Sequence, residues 1–149
     1  MGDMINPFDQ VIDLSIGIKA ASAEIWDTLT KPDLMKQWMS ETDINIITDW
    51  KIGSPITIRG ELHSASFENK GFVLQFKTAE NLVYSHLSSL SDLEDKTGNY
   101  SIIEFKLTPA ETQTILSLKL SNFPTESIYR HLAFYWRVTL ELLKKFIEK

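Results

Sequence analysis

Cysteine is absent from the 149-residue chain. Without thiols the chain can form no disulfide, no thiolate metal site and no cysteine nucleophile, and this composition suits a reducing compartment. The N-terminal segment carries the acidic residue Asp3 where a secretory signal would be basic, and no apolar segment follows it. We therefore expect a soluble cytoplasmic protein.

Glycine is scarce and widely spaced. The six glycines never lie closer together than seven positions. A dinucleotide-binding fingerprint, a phosphate-binding P-loop and the nucleophile elbow of α/β-hydrolases all need pairs of glycines two to about five positions apart. The chain therefore contains none of these three motifs.

Basic residues and long apolar stretches are also few in this chain. The 15 basic residues are outnumbered by 20 acidic ones, which gives a net charge of -5. A surface of this sign repels phosphate backbones, so we expect no nucleic-acid partner. The longest strongly apolar stretch, residues 132–136, is far shorter than the ~20 residues of a membrane span. We expect no membrane insertion.

The residues that usually carry metal or acid–base chemistry are scattered. His63, His86 and His131 show no metal-binding spacing. The acidic loop at residues 91–99 lacks the alternating ligands of a calcium loop. We therefore predict no metal, no cofactor and no catalytic residue. His86 is the one histidine that shares a strand face with an apolar residue and a tyrosine, Leu82 and Tyr84.

Hydrophobic residues make up 43% of the chain and charged residues 23%, as in globular proteins. Alternation over residues 11–20 predicts a half-buried strand. Ser22 has the position of a helix N-cap, and residues 30–33 resemble a capping box with Pro32 early in a second helix. A strand followed by two short helices is the predicted start of the fold.

Strand patterns dominate from residue 42 to residue 121. Six segments alternate or carry β-branched and aromatic residues, and polar turns separate them. Phe72, Leu74 and Phe76 alternate with the residues between them, and residues 69–71 are a candidate bulge. Consecutive strands joined by short turns predict an antiparallel meander.

The last segment, residues 125–148, has the pattern of one long amphipathic helix. Its apolar stripe is predicted to contain the following residues: Ile128, Leu132, Tyr135, Trp136, Thr139, Leu142, Leu143 and Phe146. The middle, residues 132–136, is apolar nearly all round, which is typical of a helix that is buried on two sides. We predict one α+β domain over residues 1–149, with a poorly ordered tail at residues 1–10.

The order of elements resembles the helix-grip fold of the START-like (SRPBCC) superfamily. Short segments carry the resemblance: residues 23–29, 32–38, 50–56, 70–74 and 81–86, and the closing helix with Trp136, Leu140 and Leu143. The amino-acid sequences of these segments are similar to those of the C-terminal domain of the heat-shock-protein ATPase activator. The match covers about residues 11–148 and departs from the pattern at Gly53-Ser54 and at His86.

The resemblance implies that the long helix packs on a curved antiparallel sheet and that a deep apolar cavity lies between them. The predicted elements independently favour such a cavity, because one helix cannot cover a wide, curved sheet completely. Eight residues are predicted to line this cavity: Trp38, Phe76, Tyr84, His86, Phe105, Leu118, Tyr135 and Trp136.

Three functions remain open at this point. The first is binding of a small hydrophobic or amphipathic ligand, which Tyr84 and His86 would orient. The second is a cyclase or hydrolase in which His86 is the acid–base and Tyr84 polarises a carbonyl. The third is a protein-interaction module, either a chaperone ATPase stimulator or one half of a homodimer, with Phe134 and Val138 on the helix flank.

Overall fold

The computed structural model describes residues 10–62 and 64–149. The predicted tail at residues 1–10 therefore falls, except for Gln10, outside the described residues, and so does His63.

The described elements follow the predicted order of strand, two short helices, six strands and long helix. They are β1 (Ile12–Ile18), α1 (Ser22–Thr30), α2 (Pro32–Met39), β2 (Ile44–Thr48), β3 (Pro55–Leu62), β4 (Ala65–Lys77), β5 (Asn81–Ser88), β6 (Ser101–Pro109), β7 (Thr114–Ser121) and α3 (Glu126–Glu148). Two short 3₁₀ turns, Ser89–Ser91 and Thr97–Asn99, lie between β5 and β6.

The strands form one antiparallel sheet in the order β1-β7-β6-β5-β4-β3-β2. Strands β2 to β7 are the predicted meander, and β1 closes its far end by pairing with β7, from Ile12 opposite Leu120 to Ile18 opposite Thr114. This arrangement of a seven-stranded sheet and a long C-terminal helix confirms the predicted α+β helix-grip fold.

One face of the sheet carries the core. Alternate residues of β6 and β7 are buried, as their period-2 patterns predict. These inward residues are Ser101, Ile103, Phe105 and Leu107 on β6, and Thr114, Leu116, Leu118 and Leu120 on β7. Helix α1 adds Ile25, Trp26 and Leu29 to the same hydrophobic cluster.

The starts of the two short helices differ from the prediction. Ala21 is the N-cap of α1, and Ser22 is its first residue, whose hydroxyl lies 3.3 Å from that of Thr114. The predicted capping box at residues 30–33 is also wrong, because the Thr30 hydroxyl donates to the carbonyl oxygen of Trp26 at 2.7 Å. Pro32 does occupy the first turn of α2.

Helix α3 begins with a side-chain cap, in which Thr125 Oγ1 accepts a hydrogen bond from the backbone amide of Ile128 at 3.1 Å. Six of its residues are buried: Leu132, Ala133, Trp136, Thr139, Leu140 and Leu143. The prediction that its middle is buried on two sides is wrong for this chain on its own. Phe134 is 72% exposed and Val138 is 45% exposed, because the sheet covers only one side of the helix.

The bulge in β4 lies further along the strand than predicted. The register of β4 on β5 shifts between Val73 and Gln75 and not at residues 69–71. The extra residue changes which side chains face the core, so Phe76 packs inward while Phe72 and Leu74 are exposed on the opposite face. The simple alternation of these phenylalanines is therefore interrupted.

Candidate ligand-binding cavity

A cavity of about 310 Å³ lies between α3 and the sheet. Most of its wall is hydrocarbon. The apolar residues that line it are Met39, Ile44, Ile58, Phe67, Leu90, Ile103, Leu132 and Trp136. The polar residues that line it are Ser40, Thr42, Asn69, Tyr84, His86, Ser88, His131 and Tyr135.

The α3 wall is held in place through Tyr135. Its hydroxyl donates a hydrogen bond to the carbonyl oxygen of Met39 at 2.7 Å, which ties α3 to the end of α2. The Tyr135 ring lies edge-on to that of Trp136, with centroids 5.1 Å apart. Burial raises the pKa of Tyr135 to about 12, so the phenol stays neutral at physiological pH. Aromatic faces and edges thus form a fixed wall.

Strand β5 supplies a line of polar side chains on the opposite wall. Tyr84, His86 and Ser88 alternate along the strand and line the cavity together. Asn69 lies beside them, because it pairs with Ser88 across the β4–β5 ladder. We call Tyr84, His86, Ser88 and Asn69 the polar strip. Two-residue steps of about 7 Å make it roughly 13 Å long from Tyr84 to Ser88.

The ionisable members of the polar strip are neutral at physiological pH. Burial, with a smaller contribution from His131, lowers the pKa of His86 to about 4. Burial also raises the pKa of Tyr84, and the neighbouring Tyr135 adds to that increase. No lysine, arginine, aspartate or glutamate from the described part of the chain lines the cavity. The described wall of the cavity therefore carries a row of polar groups along β5 but no lysine, arginine, aspartate or glutamate.

Three members of the strip have no hydrogen-bond partner among residues 10–62 and 64–149. Within these ranges the Tyr84 hydroxyl, the His86 ring and the Asn69 amide make no side-chain hydrogen bond, whereas the Ser88 hydroxyl accepts one from the amide of Leu90. The same residues contain no fully enclosed side-chain nitrogen or oxygen without a partner. The free atoms of Tyr84 and His86 are thus accessible from the cavity, where a guest could bind them.

Comparison with known proteins assigns the chain to a family. The sequence profile described as "Activator of Hsp90 ATPase homolog 1-like protein" matches residues 19–148. The chain belongs to this family. The resemblance to the START-like superfamily that the sequence predicted is thereby confirmed. No curated protein matches the sequence significantly.

Solved structures of similar proteins share the fold of this family member. ChR145 from Cytophaga hutchinsonii is 31% identical, with a TM-score of 0.80 over 96% of this chain and 97% of that one. The Aha1 dimer from Colwellia psychrerythraea is 24% identical, with a TM-score of 0.72 over 93% and 96%. CalU16 from Micromonospora echinospora is 21% identical, with a TM-score of 0.71 over 92% and 75%. The last two likenesses show the fold alone.

Four of the eight residues that the sequence predicted to line the cavity do line it: Tyr84, His86, Tyr135 and Trp136. The other four, Trp38, Phe76, Phe105 and Leu118, are absent from its wall. Trp38 is buried and donates its indole N–H to the carbonyl oxygen of Thr28 at 2.8 Å. Its role is to join the two short helices.

The remaining three residues belong to the packed core. Phe76 lies in an aromatic cluster, 5.1 Å from Trp26 and 5.6 Å from Trp50 between ring centroids. Phe105 packs edge-on against Trp136 at 5.5 Å and is paired with Leu118 across the ladder. The alternation of β6 and β7 correctly predicted that Phe105 and Leu118 face inward, but these two side chains pack against other core residues and not against the cavity, which β6 reaches through Ile103.

Several lining residues were missed, and some had a signal in the sequence. Ser88 continues the alternation of Tyr84 and His86 along β5, and His131 precedes Tyr135 by one helical turn. Both follow from residues already chosen. Asn69 and Phe67 carried no such signal, because their inward direction depends on the register of β4 and on where its bulge lies.

Two further observations concern metal-ligating side chains and membrane-spanning helices. No group of three or more metal-ligating side chains is found in residues 10–62 and 64–149. No helix in the described ranges is long and apolar enough to span a membrane.

Proposed function

We propose that this protein binds a small hydrophobic or amphipathic molecule in the cavity between α3 and the sheet. The observation that carries the proposal is a cavity of about 310 Å³ with a largely hydrocarbon wall and a few polar groups. Small-molecule sites have this composition, with volumes of about 300–1,000 Å³.

The volume also indicates the size of the guest. An apolar cavity of about 150 Å³ in another protein accommodates benzene. Twice that volume accommodates a molecule of about two fused rings, with room for a short substituent. A guest of this size would bury its apolar surface against Trp136, Leu132 and Ile103, at roughly 25 cal/mol for each Å² removed from water.

Binding is favoured over catalysis by the electrostatics of the site. A histidine whose pKa is about 4 is a weak base at physiological pH, and the described lining contains no carboxylate to orient it or to act with it. Tyr84 and His86 thus fit the role of hydrogen-bonding groups that orient a guest.

A neutral, environment-sensitive naphthalene dye, prodan, tests the proposal. We expect its fluorescence to rise and shift to shorter wavelength with the wild-type protein, because the mainly apolar wall of the cavity is less polar than water. Asn69→Phe should abolish the signal by filling the cavity from β4. Gln75→Phe is the matched control, since Gln75 lies on the same strand with an exposed side chain.

Equal prodan binding by the wild type and Asn69→Phe, or by neither protein, would contradict the proposal. Native mass spectrometry gives an independent measurement. A small molecule that co-purifies with the wild type and is missing from Asn69→Phe supports binding in the cavity.

The exposed flank of α3 supports a second candidate function, weak self-association. Phe134, Val138 and Leu142 are 72%, 45% and 44% exposed and form one stripe at i, i+4 spacing. Antiparallel pairing of two such helices would bring Arg137 of each copy near Glu141 of the other. A similar protein, the Colwellia psychrerythraea Aha1, was solved as a dimer.

This dimer is expected to be weak, because three side chains bury much less than the ~800 Å² per partner of a standard interface. Sedimentation equilibrium between 10 μM and 1 mM would detect it. Phe134→Ser should leave only monomer, whereas Ile52→Ser, which removes another exposed apolar side chain, should not change the equilibrium. A wild type that stays monomeric throughout contradicts this candidate.

A further inference from the structure

Four of the polar groups that line the cavity form a row on its sheet side. Tyr84, His86 and Ser88 follow one another along β5, with Asn69 next to Ser88, while α3 contributes Leu132 and Trp136 together with the polar His131 and Tyr135. The Tyr135 hydroxyl already donates to the carbonyl oxygen of Met39. A guest in this space therefore meets a row of hydrogen-bonding groups along β5 and a mainly apolar surface elsewhere, with polar groups also at Ser40, Thr42 and His131.

The chemistry of these groups selects against a charged guest. A carboxylate or ammonium group that enters the cavity loses its hydration, and no lysine, arginine, aspartate or glutamate of the described residues lines the wall to pair with it. A hydroxyl, carbonyl or amide loses much less on desolvation and can recover it through one or two hydrogen bonds.

The hydrogen-bond donors and acceptors of Tyr84 and His86 suit an uncharged ligand. A phenol can donate and accept, and a neutral imidazole has one donor and one acceptor nitrogen. Because Tyr84 and His86 are two residues apart on one strand and both line the cavity, they can hydrogen-bond to the same edge of a guest.

We propose that the guest is an uncharged molecule of about two fused rings with a hydroxyl or carbonyl group on one edge, which hydrogen-bonds to Tyr84 and His86. This inference rests on the proposed function and specifies the chemical class of ligand. The rings lie against the apolar wall of α3, and the polar edge faces β5.

Three matched probes test the inference: naphthalene, 2-naphthol and 2-naphthoate, titrated at pH 7 and followed by calorimetry or by naphthalene fluorescence. We expect 2-naphthol to bind about 3–10-fold more tightly than naphthalene, which corresponds to one net hydrogen bond. We expect 2-naphthoate to bind at least about tenfold more weakly than 2-naphthol, because its charge is unpaired in the cavity.

A double variant, Tyr84→Phe with His86→Leu, identifies the groups responsible. Naphthalene, which forms no such hydrogen bond, is the internal reference for each protein, and measurable naphthalene binding by the double variant verifies that the cavity is intact. The preference of the double variant for 2-naphthol over naphthalene should fall to about onefold. Tyr129→Phe is the matched control, because its hydroxyl bonds to Gln10 outside the cavity and its removal should leave the preference unchanged.

The outcomes separate this inference from the proposed function. Equal or tighter binding of 2-naphthoate, or a 2-naphthol preference that persists in the double variant, overturns the neutral-guest inference while naphthalene binding still supports the cavity as a site. If none of the three probes binds, the proposed function fails and the inference fails with it.

Discussion

Gly71 lies where β4 passes close to the backbone of β5. A Cβ atom at this position would overlap the carbonyl oxygen of Ser85, which the β-sheet holds in place. We expect Gly71→Ala to lower the free energy of unfolding by about 1–3 kcal/mol through overpacking. Urea denaturation measures the change. Gly98→Ala is the control, since nothing lies within 4 Å of its added methyl group, and equal stabilities for the two variants would contradict the close approach.

His86 gives stability a defined dependence on pH. Its pKa is about 4 in the folded protein and near 6.5 in the unfolded chain, so the unfolded chain binds more protons between these values. The free energy of unfolding therefore falls as the pH drops from 6.5 towards 4, by at most about 3 kcal/mol from this residue.

Urea denaturation at pH 4.5, 5.5 and 7 measures this effect. His86→Leu should lose less stability between pH 7 and pH 4.5 than the wild type does, while His131→Gln, an exposed residue at the cavity wall, should follow the wild type more closely. Identical pH profiles for the wild type and His86→Leu would contradict the burial of this imidazole.

At the residue scale, the sequence predicted which side of a strand each residue faces better than it predicted what the residue contacts there. Phe105 and Leu118 do face the interior, because a period of two determines the side of a strand on which a residue lies. Whether an inward residue meets another side chain or a cavity depends on what packs above it. That is decided by α3, whose position on the sheet no local pattern encodes.

Helix α3 shows what one capping residue contributes. The Thr125 side chain satisfies the amide of Ile128, which is otherwise without a partner in the first turn. We expect Thr125→Ala to lower the free energy of unfolding by about 1 kcal/mol, as measured by chemical denaturation. Ser127→Ala, an exposed position in the same turn, should be close to neutral or slightly stabilising, because alanine has the higher helix propensity. Equal losses for the two variants would contradict a specific contribution of the cap.

The sequence predicted the type of a long element with a repeated pattern well, and it predicted the ends of shorter elements less well. The 23-residue helix α3 repeats its apolar spacing over several turns, so its type and bounds were clear from the sequence. Ser22 was predicted to cap α1, but its hydroxyl contacts Thr114, which is distant in sequence. The β4 bulge was misplaced for the same reason, since the partner strand determines it.

At the scale of the whole molecule, the pairing of β1 with β7 joins the strands that are furthest apart in sequence. Strand β1 pairs only with β7 among the described strands, and the two are about 100 residues apart. Folds dominated by such long-range pairing fold in milliseconds to seconds. Stopped-flow tryptophan fluorescence should show refolding on that timescale, and refolding within microseconds would contradict the expectation.

The cavity is likewise a property of the whole molecule. Its wall combines residues from α2, from the β2, β3, β4, β5 and β6 strands and from α3, so it exists only when all of them are assembled. The sequence correctly predicted that the cavity lies between helix and sheet. Four of the eight residues that were predicted to line it do so. The rest of the wall follows from the sheet register and from the packing of α2 against α3.

The position of β5 as the fourth of seven strands has a consequence for protein engineering. Neighbours on both sides satisfy its backbone, so exchanging Tyr84, His86 or Ser88 alters the cavity surface without creating an unpaired edge. A library at these three positions would therefore vary the wall of the cavity while the strand keeps its pairing on both sides.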